Sequence, residues 1–329
     1  MVDFMKNDRD IILPIKHQSL WNIYKAQQAV NWIVEEVPLE TDKSDFSTLS
    51  PDVQHIILMI LGFFSVSDQI VVDNLIENFI GEVKVLECRA FYALQGAIET
   101  VHSEMYAALL RLLAPKNHPI NDACRNSSSI LMKSEWAKKF MDESISFEKR
   151  LWAFACFEGV LFQGSFCILF YLKTLGKCRG LTESNDFIAR DEALHALFAI
   201  EMLNMTKDKI SVEDAVFIMR EAIKCEAQFI HETFNKGGKK LAFGNLTEET
   251  VMQYIHSCAN GLLAMLTNLK DDDTIKREHL FKDAANPFGF MLATDLRAKS
   301  NFFEREVTEY ARPCGQSIED TSFGIDDDF

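Results

Sequence analysis

Apolar residues recur at spacings of three and four along most of the 329-residue chain, which is the period of an amphipathic helix rather than of a strand. Ser50-Pro51-Asp52 combines a side chain suited to cap a helix N-terminus with a proline at the first helical position. The segment behind it, VQHIILMILGFFSVSDQIVVDNLIENFI, predicts one long helix. Further helices are predicted from about Gly81 to Leu113, over Ser129–Met141 and over Phe147–Leu175. Thr182 is positioned to cap a helix through Asp186–Leu203, and Ser211 and Thr247 to cap two more. No segment alternates with strand period, and there is no internal repeat. Helices this apolar must bury their faces against one another, so the expected architecture is an all-α bundle. Lys270–Asp273 (KDDD) reads as a loop, and from about Ala311 the chain turns polar and acidic without periodicity. The organisation expected is an arm over residues 1–12, a helical domain over 13–307 and a flexible acidic tail over 308–329.

Composition narrows the class. Glycine (14) and proline (7) are scarce for a chain this long, which disfavours a turn-rich β protein. The formal net charge is −15 and no cluster of Lys and Arg stands out, so no nucleic-acid partner is expected. The eight cysteines form no CxxC pair and several lie in apolar runs, which reads as buried thiols in a reducing compartment. The N-terminus, MVDFMKNDRD, lacks the apolar core of a secretory signal. The apolar stretches Ile56–Val66 and Gly159–Leu172 read as too short or too interrupted to span a bilayer. The expectation is a cytoplasmic protein without a membrane partner.

The chemistry is carried by acids in the wrong places. Glu158 sits in LWAFACFEGVLF and Asp68 in LGFFSVSDQIVV. An unpaired carboxylate in such surroundings costs several kcal/mol, so each needs a partner. An arginine or a neighbouring helix N-terminus would serve for either one alone.

Two Glu-x-x-His pairs, Glu99/His102 and Glu192/His195, each place a carboxylate and an imidazole one turn apart on a helix face. With 26 glutamates and eight histidines, about 0.6 such pairs arise by chance, so their setting matters more than their number. Both lie in apolar or amphipathic helices, and the two buried acids lie on others. Four acids and two histidines from four helices form an oxygen-rich cage that suits two carboxylate-bridged iron or manganese ions. Tyr106 follows His102 by four residues and lies on the same face, within reach of an oxidant formed there.

These residues, with the stretches VNWIVEEVPL, FFSVSDQIV, AIETVHSEMY, FACFEGVLFQGSF, GLTESNDFIARDEALH, NFFEREVTEYARP and SFGIDDDF, make the chain similar to the small subunit of class I ribonucleotide reductase over nearly its whole length. The resemblance implies a ferritin-like helical bundle with a di-metal core. It implies Asp68, Glu99, His102, Glu158, Glu192 and His195 as ligands of two iron ions per chain, with manganese possible. It implies Tyr106 as the tyrosine that becomes a stable radical after reaction with O₂, inside a dry pocket of Phe162, Phe166 and Ile188. Trp32 and Tyr310 match radical-transfer residues, and Asp191 matches the acid that joins Trp32 to His102. Phe323, Ile325 and Phe329 match the tail that docks on the large catalytic subunit, and a homodimer is implied. Pro38, in EEVPLETD, departs from an acid common at that position, which is not among the ligands. Two rival readings share part of the pattern: another ferritin-like di-iron protein (oxygenase, desaturase or iron store), and a metal-free scaffold subunit.

Overall fold

The computed structural model describes residues 1–6, 9–114, 127–268, 280–282 and 285, apart from the side chains of Asp68 and Gln69. Local chemistry starts most of the helices. Ser50 accepts a hydrogen bond from the Val53 amide (3.3 Å) with Pro51 at the first position of α3, Pro51–Asn74, which follows α1 (Gln18–Ala29) and α2 (Asp42–Thr48). Ser127 caps α5 (Ser128–Lys139) and Ser211 caps α9 (Val212–Phe234) through the amides of Ile130 and Asp214. Thr247 opens α10 (Glu248–Ala264) in a reciprocal capping box with Thr250. The long helix α4 runs Leu86–Leu113, and α6, α7 and α8 cover Phe147–Cys156, Gln163–Thr174 and Arg179–Met205.

Three departures from the expected elements have local causes. Helix α4 starts at Leu86 rather than Gly81, because Val83 and Val85 are extended and the Lys84 amide bonds the Phe4 carbonyl (2.8 Å). The predicted 147–175 helix is broken by a π-helical turn, Phe157–Leu161, and a second such turn, Leu75–Phe79, follows α3. Thr182 is not a cap. Helix α8 begins at Arg179 after Cys178 in the left-handed region (φ 51°), and the Thr182 hydroxyl merely donates to the Arg179 carbonyl. The first amides of α8 are taken instead by α2: Asp42 accepts from Gly180 (2.9 Å) and Leu181 (2.7 Å), and Asp45 accepts from Cys178 (3.0 Å). A cap supplied from more than a hundred residues away leaves no local mark in the sequence.

Helix α3 lies along α4, while α8 packs on α6, α7 and α1, and α9 on α5, α6 and α10. One hydrophobic cluster runs through all of them. The N-terminal residues join it: Phe4 is buried, the Val2 amide bonds the Met205 carbonyl (2.8 Å), and Arg9 pairs with the buried Glu87. A two-residue antiparallel hairpin, β1 (Asn235–Lys236) with β2 (Lys239–Lys240), turns on Gly237 and Gly238, both at positive φ. The apolar stretches Ile56–Val66 and Gly159–Leu172 lie within two longer helical runs. These runs, Pro51–Glu82 and Phe147–Thr174, are long and apolar enough to cross a membrane by length and composition, and the apolar stretch of the second is wholly buried in the bundle. The cysteines at 88, 156, 167, 178, 225 and 258 are free and buried.

Because Asp42 is fully buried and satisfies two amides at the start of the helix that carries Asp191, Glu192 and His195, Asp42→Ala is expected to destabilise the fold by about 1–3 kcal/mol. Urea denaturation checks this, with Asp45→Ala, whose carboxylate takes one amide, expected to cost less.

Candidate metal centre

Two helices bring the Glu-x-x-His pairs together. On α4 the buried face runs Phe91, Gln95, Glu99, His102 and Tyr106, and on α8 it runs Ile188, Asp191, Glu192 and His195. Glu158 enters from the π-helical turn after α6, whose widened helical path shifts the following side chains relative to an uninterrupted helix. Asp68 lies in α3, along α4; its side chain is outside the described residues. Tyr310, Phe323, Ile325 and Phe329 are also outside them.

Glu99, Glu158, Glu192 and His195 each offer a ligand atom, and these atoms lie within 4.8 Å of one another, with all four residues buried. His195 Nδ1 is 3.0 Å from both Glu99 Oε1 and Glu192 Oε2. His102 Nδ1 is 3.3 Å from Glu99 Oε2 and 3.1 Å from Glu192 Oε1. These last approaches have ion-pair distance without hydrogen-bond alignment: His102 Nδ1 and Glu99 Oε2, both buried, have no hydrogen-bond partner among the described residues. Both imidazoles thus turn Nδ1 toward the carboxylates; His195 Nδ1 bonds Glu192 Oε2, while His102 Nδ1 and Glu99 Oε2 face the same volume unmatched. Orphaned buried oxygen and nitrogen donors in that ratio are what a hard or borderline cation requires, so the residues fit a metal site.

The electrostatics agree. Burial acts against the charged form of His102, but the carboxylates of Asp191, Glu192 and Glu99 overcome it and hold its pKa well above the ordinary imidazole value. Burial opposes protonation of His195 in the same way, and Glu99 and Glu192 raise its pKa to about 9. Burial would raise Glu192, yet the two histidines hold it well below the usual carboxylate range. In the metal-free chain, protons on the imidazoles supply the positive charge the site calls for.

Asp191 is fully buried, and its Oδ2 is shared. It accepts from Trp32 Nε1 (2.8 Å) and lies 3.2 Å from His102 Nε2. Its Oδ1 accepts from Gln27 Nε2 (3.0 Å). Trp32 is 5% exposed, so the connection from its indole to the His102 imidazole is shielded for its whole length. Tyr106 is buried and stacks on Phe64 (centroids 4.5 Å, 17°), whose ring lies 5.8 Å from Phe162 and 5.4 Å from Phe166. Ile188 is buried one turn before Glu192. Pro38, the departure noted in the sequence, packs its carbonyl against the start of α8 at Gly180, where a Cβ would lie 2.5 Å away.

Sequence reasoning missed three residues here. Gln95 donates to Glu158 Oε1 (3.1 Å) and Glu99 Oε1 (3.4 Å); its place four residues before Glu99 was the available signal. Phe64 likewise precedes Asp68 by one turn. Gln27 sits on α1 three residues before the VNWIVEEVPL stretch that carries Trp32, and that nearness was its only mark.

Comparison with known proteins agrees with the geometry. The profile of the family described as ribonucleotide reductase, small chain, matches residues 9–270. The chain is 36% identical to the ribonucleoside-diphosphate reductase small chain of monkeypox virus, over 98% of this chain and 97% of that one. It is 36% identical to the small chain of Nicotiana tabacum, over 98% and 96%. Among solved structures, the ribonucleotide reductase Rnr4 homodimer of Saccharomyces cerevisiae superposes with a TM-score of 0.75 at 27% identity, covering 93% of this chain and 91% of that one.

The raised imidazole values set a pH dependence. Each lies above the unfolded value of about 6.5, so the stability this gives the metal-free chain is complete below that pH. For His195 it is lost as pH rises through about 9. A metal must displace the same protons. Manganese(II) affinity of the metal-free protein, titrated at pH 7, 8 and 9, is expected to rise by about tenfold per unit for each proton displaced. A flat profile would contradict the protonated site.

Proposed function

Since this chain belongs to the ribonucleotide reductase small-chain family and is the small subunit of a ribonucleoside-diphosphate reductase, we propose that it generates and stores a radical on Tyr106 for a large catalytic subunit. The family is metal-dependent. The observation that carries the reading is the convergence of Glu99, Glu158, Glu192 and His195 within 4.8 Å, with the buried Tyr106 one turn beyond His102 on α4.

Asp68, Glu99, His102, Glu158, Glu192 and His195 would hold two iron ions per chain, manganese being the alternative that the same donors accept. When bound, the metal pair and O₂ supply the oxidant for the nearby phenol. The chain's own residues do the rest. The carboxylates neutralise the cations and favour their oxidised state. Asp191 fixes the ring of His102 by accepting a hydrogen bond from its Nε2–H, which leaves the Nδ1 lone pair to face the metal site. Tyr106 would give up one electron, together with its phenolic proton, to that oxidant. Phe64, stacked on the ring, and Phe162, Phe166 and Ile188 exclude the water and reductants that would quench the radical. The hydrogen bonds Trp32–Asp191–His102 form a continuous route for an electron and a compensating proton shift.

On this reading Tyr310 carries the radical onward, and Phe323, Ile325 and Phe329 dock the acidic tail on the large subunit, where the ribonucleoside diphosphate is reduced. The homodimer of the yeast relative supports the same assembly here, in the cytoplasm.

Tyr106→Phe is expected to bind metal as the parent does, to show no tyrosyl signal by electron paramagnetic resonance after aerobic iron loading, and to support no reduction. Full activity in this variant would remove the radical assignment. Deleting Phe323–Phe329 is expected to leave the radical spectrum intact and abolish turnover with the large subunit. A truncated chain that still competes equally for that subunit would contradict the docking role.

A further inference from the structure

Glu158 reaches the centre from a π-helical turn, and such a turn leaves backbone groups without helical partners. The turn ends at Leu161, and Phe162 forms the junction (φ −99°, ψ −18°). The backbone ladder resumes with the Phe166 amide on the Phe162 carbonyl (3.0 Å). The Leu161 carbonyl and the Gly164 amide therefore lie at the break, in a fully buried segment where water cannot serve them.

A buried ion pair meets both. Lys133 of α5 is 1% exposed and Glu226 of α9 is fully buried, and the two form a salt bridge. The Lys133 ammonium donates to the Leu161 carbonyl (2.8 Å), and Glu226 Oε1 accepts from the Gly164 amide (3.0 Å). The fit leaves little slack. A Cβ on Gly164 would lie 2.4 Å from Glu226 Oε1, so only glycine lets the carboxylate reach the amide. The ammonium is also held between the rings of Phe63 (3.6 Å) and Phe229 (4.0 Å), and Phe63 in turn touches Phe162 and Phe64 around Tyr106. An ion pair that served only to join α5 and α9 would have no need of these two backbone groups.

We propose that Lys133 and Glu226 are positioning residues that clamp the π-helical turn and thereby set Glu158 as a metal ligand. This rests on the metal-centre reading above. The pair acts through the backbone three and six residues after Glu158, at Leu161 and Gly164.

Manganese(II) alone, titrated into the full-length metal-free protein and followed by the resonance signal of the free ion, tests this without turnover. Lys133→Met and Glu226→Gln are each expected to weaken binding by about tenfold or more, and Lys133→Arg, which keeps the cation, to recover most of that loss. Phe4→Ala, which removes a core ring packed on Phe147, controls for lowered stability and is expected to stay within about twofold of the parent. In a Glu158→Gln background the Lys133→Met change is expected to add less than about twofold, because the residue through which it acts is already altered. Should Lys133→Met fail to fold, the isosteric Glu226→Gln carries the same comparison. Parent-like binding by Glu226→Gln, or full additivity with Glu158→Gln, overturns the clamp while leaving the metal centre standing. Parent-like binding by Glu158→Gln itself overturns the metal-centre reading, and the clamp with it.

Discussion

Three glutamates and two histidines without solvent, inside a bundle walled by Phe, Ile and Leu, cannot keep their charges unless positive charge is placed among them. The rest of the molecule is arranged around that requirement. In the metal-free chain the imidazoles take up protons, which is why His102 and His195 are held far above their ordinary values while Glu192 is held below its own. Divalent cations would answer the same demand with more charge in the same volume. Metal binding and proton release at this centre are thus one electrostatic event.

The apolar wall serves two ends at once. It raises the cost of leaving the carboxylates unmatched, which favours any cation that enters. It also backs Tyr106 with Phe64, on which Phe162 and Phe166 pack in turn, so the phenol lies away from water. The polar groups that pass through the wall are each committed. Asp191 is occupied by Trp32, His102 and Gln27, and Gln95 bridges Glu99 and Glu158.

Rigid placement of the ligands comes from pieces distant in the chain. Asp42 and Asp45 start α8, and with it Asp191, Glu192 and His195. Lys133 and Glu226 sit at the break that delivers Glu158. In each case a charged side chain, fully buried at Asp42, Lys133 and Glu226 and half-buried at Asp45, is matched to backbone groups at a helix end or a π-helical turn.

Helical period, the caps at Ser50, Ser211 and Thr247, the two Glu-x-x-His pairs and the isolation of Glu158 in apolar sequence were all readable from the chain. Each depends on residues within one or two turns of each other, and spacing alone puts them on a common face. Only the folded molecule decided that α8 begins at Arg179, that α6 and α7 are separated by a π-helical turn, that Gln27 and Phe64 belong to the site, and that Lys133 meets Glu226. Those outcomes turn on contacts between segments tens to more than a hundred residues apart, where burial selects partners for backbone amides and side-chain charges by proximity in space, a quantity that a local pattern of residues does not encode.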